Sequence, residues 1–230
     1  SYSENKKIWQ TIQKHYRYFY DHDIPVDFVS PEDDFSQYNL LIDPMHFLMS
    51  KSYLEKIDNY VKNGGKIVGT YISGVVDEND LAYMNEWPKE LQEIYGLEPL
   101  ETDVLYPGQS NLINFEGKEY PVYDYCETLI NCKGKDYYLA CRTGYDFLEK
   151  FYGKIASDLI PKLPIAKFNS RVSIQMRENK LEKYWFVQNF SDKEEKIELS
   201  CELVNLLEDV KDKGTISLKP FESKVYKLYR

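Results

Sequence analysis

The residues of this chain that could do chemistry are carboxylates, histidines, cysteines and serines, and their spacing indicates which reactions are open to them. Glu101 and Asp103 form the most suggestive pair, because a spacing of two on a predicted strand places both carboxylates on one face. Two crowded carboxylates can raise one pKa and create the acid–base pair that a glycosidase uses. A solvated or hydrogen-bonded strand edge explains the pair equally simply, and we expect that structural role here.

The other acidic and histidine-bearing segments give weaker signals for a metal ion or a ligand. Residues 77–80 are acidic, but calcium needs more oxygen ligands at ordered spacing, and the segment is typical of a capping loop. His15, His22 and His46 do not have the spacing of metal ligands. His46 follows a predicted strand, where doubly wound folds often place ligands, although a packed or hydrogen-bonded loop histidine is the commoner case. We predict no metal site and no cofactor site.

Two candidate nucleophiles lack the context that catalysis requires. Cys141 ends a predicted strand, but the sequence assigns no base to it. Ser73 would need glycines on both sides at a spacing of two to form a nucleophile elbow, and those positions hold Tyr71 and Val75. The glycines nearby form neither a dinucleotide-binding fingerprint nor a phosphate-binding loop. The sequence therefore predicts no catalytic residue in this chain.

Composition and charge exclude several classes of protein. Hydrophobic residues make up 43% and charged residues 29% of the 230 positions, which argues for a folded core and against disorder. The net charge of −9 disfavours nucleic acid and anionic membranes as partners. No apolar run approaches the roughly 20 residues of a membrane span. Since no apolar run follows the first residues as in a signal peptide, we expect a soluble, cytoplasmic protein.

The cysteines and tyrosines add two further expectations. None of the cysteines lies in a Cys-x-x-Cys pair, and their small number predicts reduced, buried thiols and no disulfide scaffold. They are Cys126, Cys132, Cys141 and Cys201. The 21 tyrosines suit half-buried surfaces and interfaces, and so suggest association or a carbohydrate-facing surface. Compositional bias explains the same excess.

The elements that must position these residues follow an α/β order over residues 1–166. Ser50 caps one predicted helix, which Gly64 and Gly65 stop. The predicted helices cover residues 8–20, 52–63, 87–95 and 145–160. Gly96 ends the third of these helices. The predicted strands cover residues 24–29, 39–42, 66–71 and 136–141, and strand-like segments around turns, including a turn at residues 116–118, are predicted between residues 98 and 130. Because residues 39–42 are an almost unbroken apolar run, which suits a strand covered on both faces, the order of elements predicts an open α/β sheet covered by helices.

The sequence changes character beyond Pro161 and Pro164. Short strands separated by polar turns predict an antiparallel β-sandwich of roughly six strands. Five of these strands are predicted at residues 173–177, 183–187, 196–200, 215–218 and 224–229. Residues 167–230 hold 13 basic and 11 acidic side chains, whereas the rest of the chain holds 16 and 27. We therefore predict two domains, residues 1–166 and residues 167–230.

Ordered segments along nearly the whole chain resemble one known family. The longest are residues 24–29, 34–44, 60–78, 91–97, 184–190 and 218–222. Single positions between them agree as well, namely Glu101, Asp103, Leu105, Pro107, Gly108 and Arg177. Each segment alone is weak, but the ordered set is specific, and it resembles the glycoside hydrolase family 42 β-galactosidases.

The resemblance implies the family's middle and C-terminal domains without its (β/α)₈ barrel, which carries both catalytic glutamates and, where present, a zinc-binding cysteine cluster. Residues 1–166 would form a non-catalytic trimerisation domain similar to class I glutamine amidotransferases, with a flavodoxin-like open sheet. Residues 167–230 would form the C-terminal β-sandwich. The parent would hydrolyse terminal β-D-galactosides with retention, and would bind the galactoside itself. This chain would build a homotrimer in which a neighbouring subunit walls each barrel's active site.

Two features suggest how the chain relates to its parent. The first predicted helix begins almost at residue 1, which fits an excised or proteolysed fragment. The join near Ile130 and Asn131 is abrupt compared with the family, which implies either a shortened loop or a stretch that is absent here.

Two other functions remain open from the sequence alone. A stand-alone amidotransferase-like enzyme would need a reactive cysteine or serine at a strand–helix elbow with a histidine in reach. A sugar-binding module would use Trp185 and tyrosines of the C-terminal domain as stacking platforms. Strand alternation places Trp185 with Val187 on one face, and Tyr184 with Phe186 on the other, so packing explains most of these rings.

Overall fold

The computed structural model describes residues 7–84, 87–131, 136–179 and 181–228. Its helices are α1 (Ile8–Asp21), α2 (Lys51–Lys62), α3 (Lys89–Tyr95) and α4 (Tyr145–Ile155). Its first strands are β1 (Leu40–Asp43), β2 (Lys66–Thr70), β3 (Leu97–Val104), β4 (Asn111–Phe115), β5 (Lys118–Asn131), β6 (Tyr137–Leu139) and β7 (Cys141–Thr143). The later strands are β8 (Ile165–Lys167), β9 (Val172–Glu178), β10 (Lys183–Asn189), β11 (Glu195–Asn205), β12 (Val210–Leu218) and β13 (Ser223–Leu228).

These elements belong to two compact units, and no helix among the described residues is long and apolar enough to cross a membrane. The first unit contains residues 7–15 and 28–153, and the second contains residues 16–27 and 154–228. The predicted domain boundary between residues 166 and 167 stays a prediction.

A small parallel sheet forms the centre of the first unit. Its strands lie in the order β1, β2, β6, and all are parallel, as the predicted apolar strands required. The predicted cap of α2 is confirmed, because the Ser50 hydroxyl accepts a hydrogen bond from the Tyr53 amide. Gly96 ends α3 in a left-handed conformation. Helices α2 and α3 pack on this sheet through a hydrophobic core. The fully buried residues of this core include Met49, Leu54, Ile57, Ile67 and Leu91.

An antiparallel sheet lies beside the parallel one in the first unit. Its long central strand β5 pairs with β3 and β4, which lie end to end, and with β7 on the opposite side. The tight turn between β4 and β5 consists of Glu116 and Gly117, both at positive φ, which the right-handed twist of a hairpin favours. One face of the hairpin packs on α4, with Phe115 and Tyr120 against Phe147. The predicted strand-like segments around this turn are confirmed.

Three predictions for local structure were wrong in the regions next to these sheets. Residues 24–29 are not a strand, because the Ile24 amide bonds to the Phe19 carbonyl at the end of α1. Asp23, at φ 56°, accepts a hydrogen bond from the Ile174 amide and forms an ion pair with Lys167, and all three residues belong to the second unit. The predicted strand 136–141 is divided into β6 and β7. The predicted helix 145–160 ends at Ile155 and continues only as a short 3₁₀ turn.

The second unit contains one antiparallel sheet of six described strands. The order is β12, β11, β13, β10, β9, and β8 pairs with β11. The prediction of roughly six antiparallel strands is confirmed, but the two separate sheets of a sandwich are not found. Strand β11 is long, has a register shift between Leu199 and Leu203, and pairs with β8, β12 and β13, so it joins both halves into one curled half-barrel. The core of this unit includes Val172, Ile174, Val187, Ile197, Leu203 and Tyr226.

Candidate functional site

Polar side chains gather where the parallel strands β1 and β2 end, the position at which open α/β sheets offer ligand sites. Asp43 is the last residue of β1, and its two oxygens each lie 2.8 Å from a partner, the Tyr53 hydroxyl and the His46 Nδ1 atom. Burial lowers the pKa of His46, but the hydrogen bond and charge of Asp43 outweigh it, so the pKa is raised. Burial, reinforced by Asp43, raises the pKa of Tyr53 well above its ordinary value. The imidazole is therefore directed at a carboxylate of its own loop.

The hydroxyls at the end of β2 bind backbone amides of the same loop. Ser73 accepts a hydrogen bond from the His46 amide at 3.1 Å, and Thr70 accepts one from the Met45 amide at 2.8 Å. Both hydroxyl side chains are buried. Ser73 thus meets the backbone of His46, while the imidazole of His46 meets Asp43. This arrangement fastens the two loops together, and it is not the serine–imidazole contact that activates a nucleophile.

A buried carboxylate, Glu127 on β5, connects the antiparallel sheet to the parallel one. Its Oε1 atom accepts hydrogen bonds from the Ile72 amide at 2.9 Å and the Tyr125 hydroxyl at 3.1 Å. Its Oε2 atom accepts one from the Tyr138 hydroxyl at 2.7 Å. Burial raises the pKa of Glu127, and the three hydrogen bonds partly offset that rise. Ile72 has φ 61°, which is strained for a β-branched residue, so the contact with Glu127 holds an unfavourable backbone conformation in place.

A second buried network surrounds Arg142 on β7. Its Nε atom donates to the Tyr71 hydroxyl at 2.9 Å, and its guanidinium lies 3.1 Å from Asp124 and over the Tyr71 ring. Thr11 of α1 shares the Tyr71 hydroxyl. Lys7 and Arg142 both donate hydrogen bonds to Asp124. These bonds keep the pKa of the Asp124 carboxyl below its ordinary value, and Lys7 has the larger effect. This network joins α1, the end of β2, β5 and β7 within the first unit.

The three histidines each bind a different neighbour. His15 is buried against the Tyr152 hydroxyl, and burial lowers its pKa to about 4. His22 lies 2.8 Å from the carbonyl oxygen of Tyr18 and stacks on that ring. Among the described residues, no three His, Cys, Asp or Glu side chains are grouped to hold a metal ion. The predicted absence of a metal or cofactor site stays a prediction.

The predicted acidic candidates are exposed or engaged locally. Glu101 is exposed on β3, whereas the side chain of Asp103 lies outside the part that the structure describes. Asp77 accepts hydrogen bonds from the Asn79 and Leu81 amides and so closes a turn. The predicted capping role was wrong, because residues 81–84 form no helix that this turn could cap. The abrupt join predicted near Ile130 and Asn131 lies at the end of β5, next to residues 132–135, which the structure does not describe.

The prediction of reduced thiols was wrong for two cysteines, and the packing explanation for Trp185 is confirmed. Cys126 and Cys141 form a disulfide, because they face each other directly across β5 and β7. Cys201 is free and half-buried, and Cys132 lies outside the described residues. Trp185 is 5% exposed in the core of the second unit, so its ring is not a surface platform for a sugar.

One apolar surface of the first unit is open to solvent. We call it the hairpin outer face, and it consists of Leu112, Pro121 and Tyr123, which strand alternation places on the side of β4 and β5 opposite Phe115 and Tyr120. Leu112 is 55% exposed and Tyr123 44% exposed. Tyr106, in the loop that begins beside Asp124, is 71% exposed. Contiguous patches of exposed apolar groups are typical of surfaces of association, so this face is a candidate for one.

Two family models match the chain in order. The description of the first is the β-galactosidase trimerisation domain, which matches residues 1–132. The second is the β-galactosidase C-terminal domain, which matches residues 171–228. The first match includes the polar groups at the ends of β1 and β2, Glu127 and the hairpin outer face, but not Tyr138 or Arg142. The second match includes five strands of the half-barrel.

Individual relatives agree with these models. β-Galactosidase GalA of Bacillus licheniformis is 34% identical over 249 residues, which cover 96% of this chain and 37% of the relative. β-Galactosidase GanA of Bacillus subtilis is 34% identical over 248 residues, with the same coverage. The solved structure of a GH42 β-galactosidase from G. stearothermophilus superposes with a TM-score of 0.90 at 34% identity, and covers 99% of this chain and 37% of that one.

The chain thus spans little more than a third of the length of these relatives. The two models match residues 1–132 and 171–228 in the family's order, and the two Bacillus relatives each cover 96% of the chain. The chain belongs to the glycoside hydrolase family 42 β-galactosidases, and corresponds to their trimerisation and C-terminal domains.

Proposed function

We propose that this chain is the oligomerisation and structural portion of a β-galactosidase, that it assembles as a homotrimer, and that catalysis takes place in another part of the parent enzyme. The observation that carries the proposal is the match of residues 1–132 to the trimerisation domain of the family. The hairpin outer face supports it, because this exposed apolar surface lies within the matched residues. The polar groups at the ends of β1 and β2 support a structural role, since they bind one another and the backbone.

The parent enzyme would hydrolyse terminal β-D-galactosides with retention of configuration. This part of the proposal rests on relatives that are β-galactosidases and that are nearly three times as long as this chain. The catalytic barrel of the parent would be the partner of this chain within the enzyme, and the galactoside would be bound through the parent alone. The whole would be cytoplasmic.

The finer assignment of the fold belongs to the same proposal. The parallel sheet of β1, β2 and β6, with α2 and α3 packed on it, supports a flavodoxin-like domain of the glutamine amidotransferase type over residues 1–166. Residues 167–230 would form the separate C-terminal domain. The relatives lend no support to a stand-alone amidotransferase or a sugar-binding module.

Light scattering coupled to size exclusion tests whether this chain trimerises. We expect a particle of three times the chain mass of 27.3 kDa at micromolar concentration. A strictly monomeric chain across a hundredfold range of about 1 to 100 μM would refute autonomous assembly, because a specific trimer is stabilised by mass action over such a range.

A pair of matched variants tests the hairpin outer face. The double variant Leu112→Asp with Tyr123→Asp places charges on this surface, and should shift the particle toward the monomer. Leu207→Asp is the control, because Leu207 is 63% exposed in the second unit. A trimer that survives the double variant with unchanged circular dichroism would exclude this face as the contact.

A further inference from the structure

Cys126 and Cys141 occupy opposite positions on the neighbouring strands β5 and β7. Their Cα atoms are 4.2 Å apart. The Glu127 amide donates to the Ala140 carbonyl at 2.9 Å, so the two cysteines form a non-hydrogen-bonded pair of the antiparallel ladder. At such positions the facing side chains approach each other most closely. The register of the strands therefore brings the two sulfur atoms together without any movement of the backbone.

The two cysteines differ in their access to solvent. Cys126 is half-buried, whereas Cys141 is only 9% exposed. A small thiol or disulfide in solution therefore reaches the sulfur of Cys126 first. The exchange chemistry assigns different roles to the two positions, with Cys126 as the sulfur that meets the reagent and Cys141 as the resolving sulfur.

The residues that flank the pair hold the first unit together. Glu127 follows Cys126 and accepts a hydrogen bond from the amide of the strained residue Ile72. Arg142 follows Cys141 and donates a hydrogen bond to the Tyr71 hydroxyl. Both contacts connect the strands of the antiparallel sheet to the end of β2. A covalent bond between β5 and β7 fixes the register on which both buried networks depend, and it does so where that register shifts, between Val122 and Cys126.

We propose that Cys126 and Cys141 form a reversible thiol–disulfide site, which a low-molecular-weight disulfide such as oxidised glutathione closes and a dithiol opens. The Cys126 thiolate attacks one sulfur of oxidised glutathione and releases one glutathione thiolate. The Cys141 thiolate then attacks the Cys126 sulfur of this mixed disulfide and releases the second glutathione. Two protein thiols are oxidised, one glutathione disulfide is reduced to two thiols, and the protons of the cysteines pass through solvent to the released thiolates.

Counting thiols by mass in a Cys132→Ser, Cys201→Ser variant of the whole chain tests the proposal, because only the two cysteines of the site remain. The folded protein is first treated with dithiothreitol and is then denatured in the presence of a maleimide. Two maleimide groups should then add to each chain. After treatment of the folded protein with oxidised glutathione at pH 8, no maleimide should add to either cysteine. A second treatment with dithiothreitol should restore both additions. Peptide mapping of the wild-type chain repeats the measurement without substitutions, and should find the Cys126 and Cys141 peptides joined.

Hydrogen exchange provides the structural readout. The bond closes a loop with a sequence separation of 15. Exchange of the Glu127 amide in a local opening of β7 should therefore slow by up to about a hundredfold on oxidation. The proposal would be overturned if the maleimide still added to both thiols after treatment with oxidised glutathione. A stable glutathione adduct would overturn it as well, since Cys141 would then fail to resolve it. Neither result bears on trimerisation, which is measured separately.

Discussion

Gly69, in the buried strand β2, leaves the space beside its Cα atom to the ring of Tyr95. A Cβ atom at Gly69 would lie 2.3 Å from the Tyr95 hydroxyl oxygen and 2.7 Å from its Cζ atom. Both distances are far inside van der Waals contact, so Gly69→Ala forces either the strand or the ring to move. Overpacking of this kind in a closed core costs about 1–3 kcal/mol of the free energy of unfolding. We expect the loss near the upper end, since the added methyl group overlaps both the hydroxyl oxygen and a ring carbon of Tyr95.

The Tyr95 hydroxyl makes a second substitution informative. It is buried, and the described residues offer it no hydrogen-bond partner. Tyr95→Phe removes an unsatisfied polar group, so the free energy of unfolding should stay constant or rise by about 1 kcal/mol. It also removes the atom nearest to the new methyl group. In the double variant with Gly69→Ala, we therefore expect partial recovery, with a coupling energy of at least about 0.5 kcal/mol.

Tyr138→Phe is the matched control for this cycle. Tyr138 is also buried near Gly69, but its hydroxyl donates to Glu127 at 2.7 Å, and its closest atom to the added methyl is a ring carbon at 3.1 Å. The control should cost about 1–2 kcal/mol and should not rescue Gly69→Ala. Urea unfolding followed by circular dichroism measures all five variants. Strict additivity of Gly69→Ala and Tyr95→Phe would refute the reasoning, because it would show that the hydroxyl is not the obstacle.

Two further perturbations address the buried polar groups. Glu127→Ala orphans three hydrogen-bond donors and should lower the free energy of unfolding by about 3 kcal/mol, whereas Glu119→Ala, exposed on the same strand, should change it by less than about 0.5 kcal/mol; equal effects in urea would contradict this. The pKa values of His15 and His46 lie on opposite sides of 6.5, at about 4 and above 6.5. His15 therefore costs stability as pH falls from 6.5 toward 4, while the contribution of His46 with Asp43 is complete below 6.5 and is lost as pH rises through the folded pKa. Imidazole NMR titrations assigned with His15→Gln and His46→Gln check both, and a shared midpoint would exclude the two environments.

Local signals in the sequence predicted local structure well. Ser50 at the start of α2 and Gly96 at the end of α3 act within one helical turn of their own positions, so their residue types are sufficient. The turn of Glu116 and Gly117 is equally local. The family could also be identified from the sequence, because many weak segment resemblances that occur in one order are jointly specific.

Structure that depends on distant partners was not predictable in this way. Residues 24–29 have the composition of a strand, yet Asp23 before them is committed to Lys167 and to the amide of Ile174. The six strands of the second unit were predictable as strands, but not as one sheet. That outcome depends on β11 pairing with three partners, and pairing is a relation between segments.

The buried polar residues of the first unit illustrate the same limit. Glu127 was not a candidate from the sequence, because Ile72 and Tyr138 lie 55 and 11 residues away on other elements. Cys126 and Cys141 were expected to be reduced thiols, since a separation of 15 residues gives no sign of strand register. His46 was correctly expected to be a hydrogen-bonded loop histidine, because its carboxylate partner, Asp43, lies only three residues away.

At the ends of β1 and β2, polar groups bind one another and the backbone at an edge where such folds often bind a ligand. An enzyme of this architecture keeps polar groups free at this edge for a substrate. Here Asp43 holds His46 and Tyr53, and Glu127 holds the strained Ile72 amide, so these groups fix the loops that follow the strands. Surfaces that are rigid before association lose less conformational entropy when they bind. If the chain assembles as proposed, the buried networks reduce the entropic cost of the trimer, and loosening them by Glu127→Ala should weaken assembly even though Glu127 lies away from the hairpin outer face.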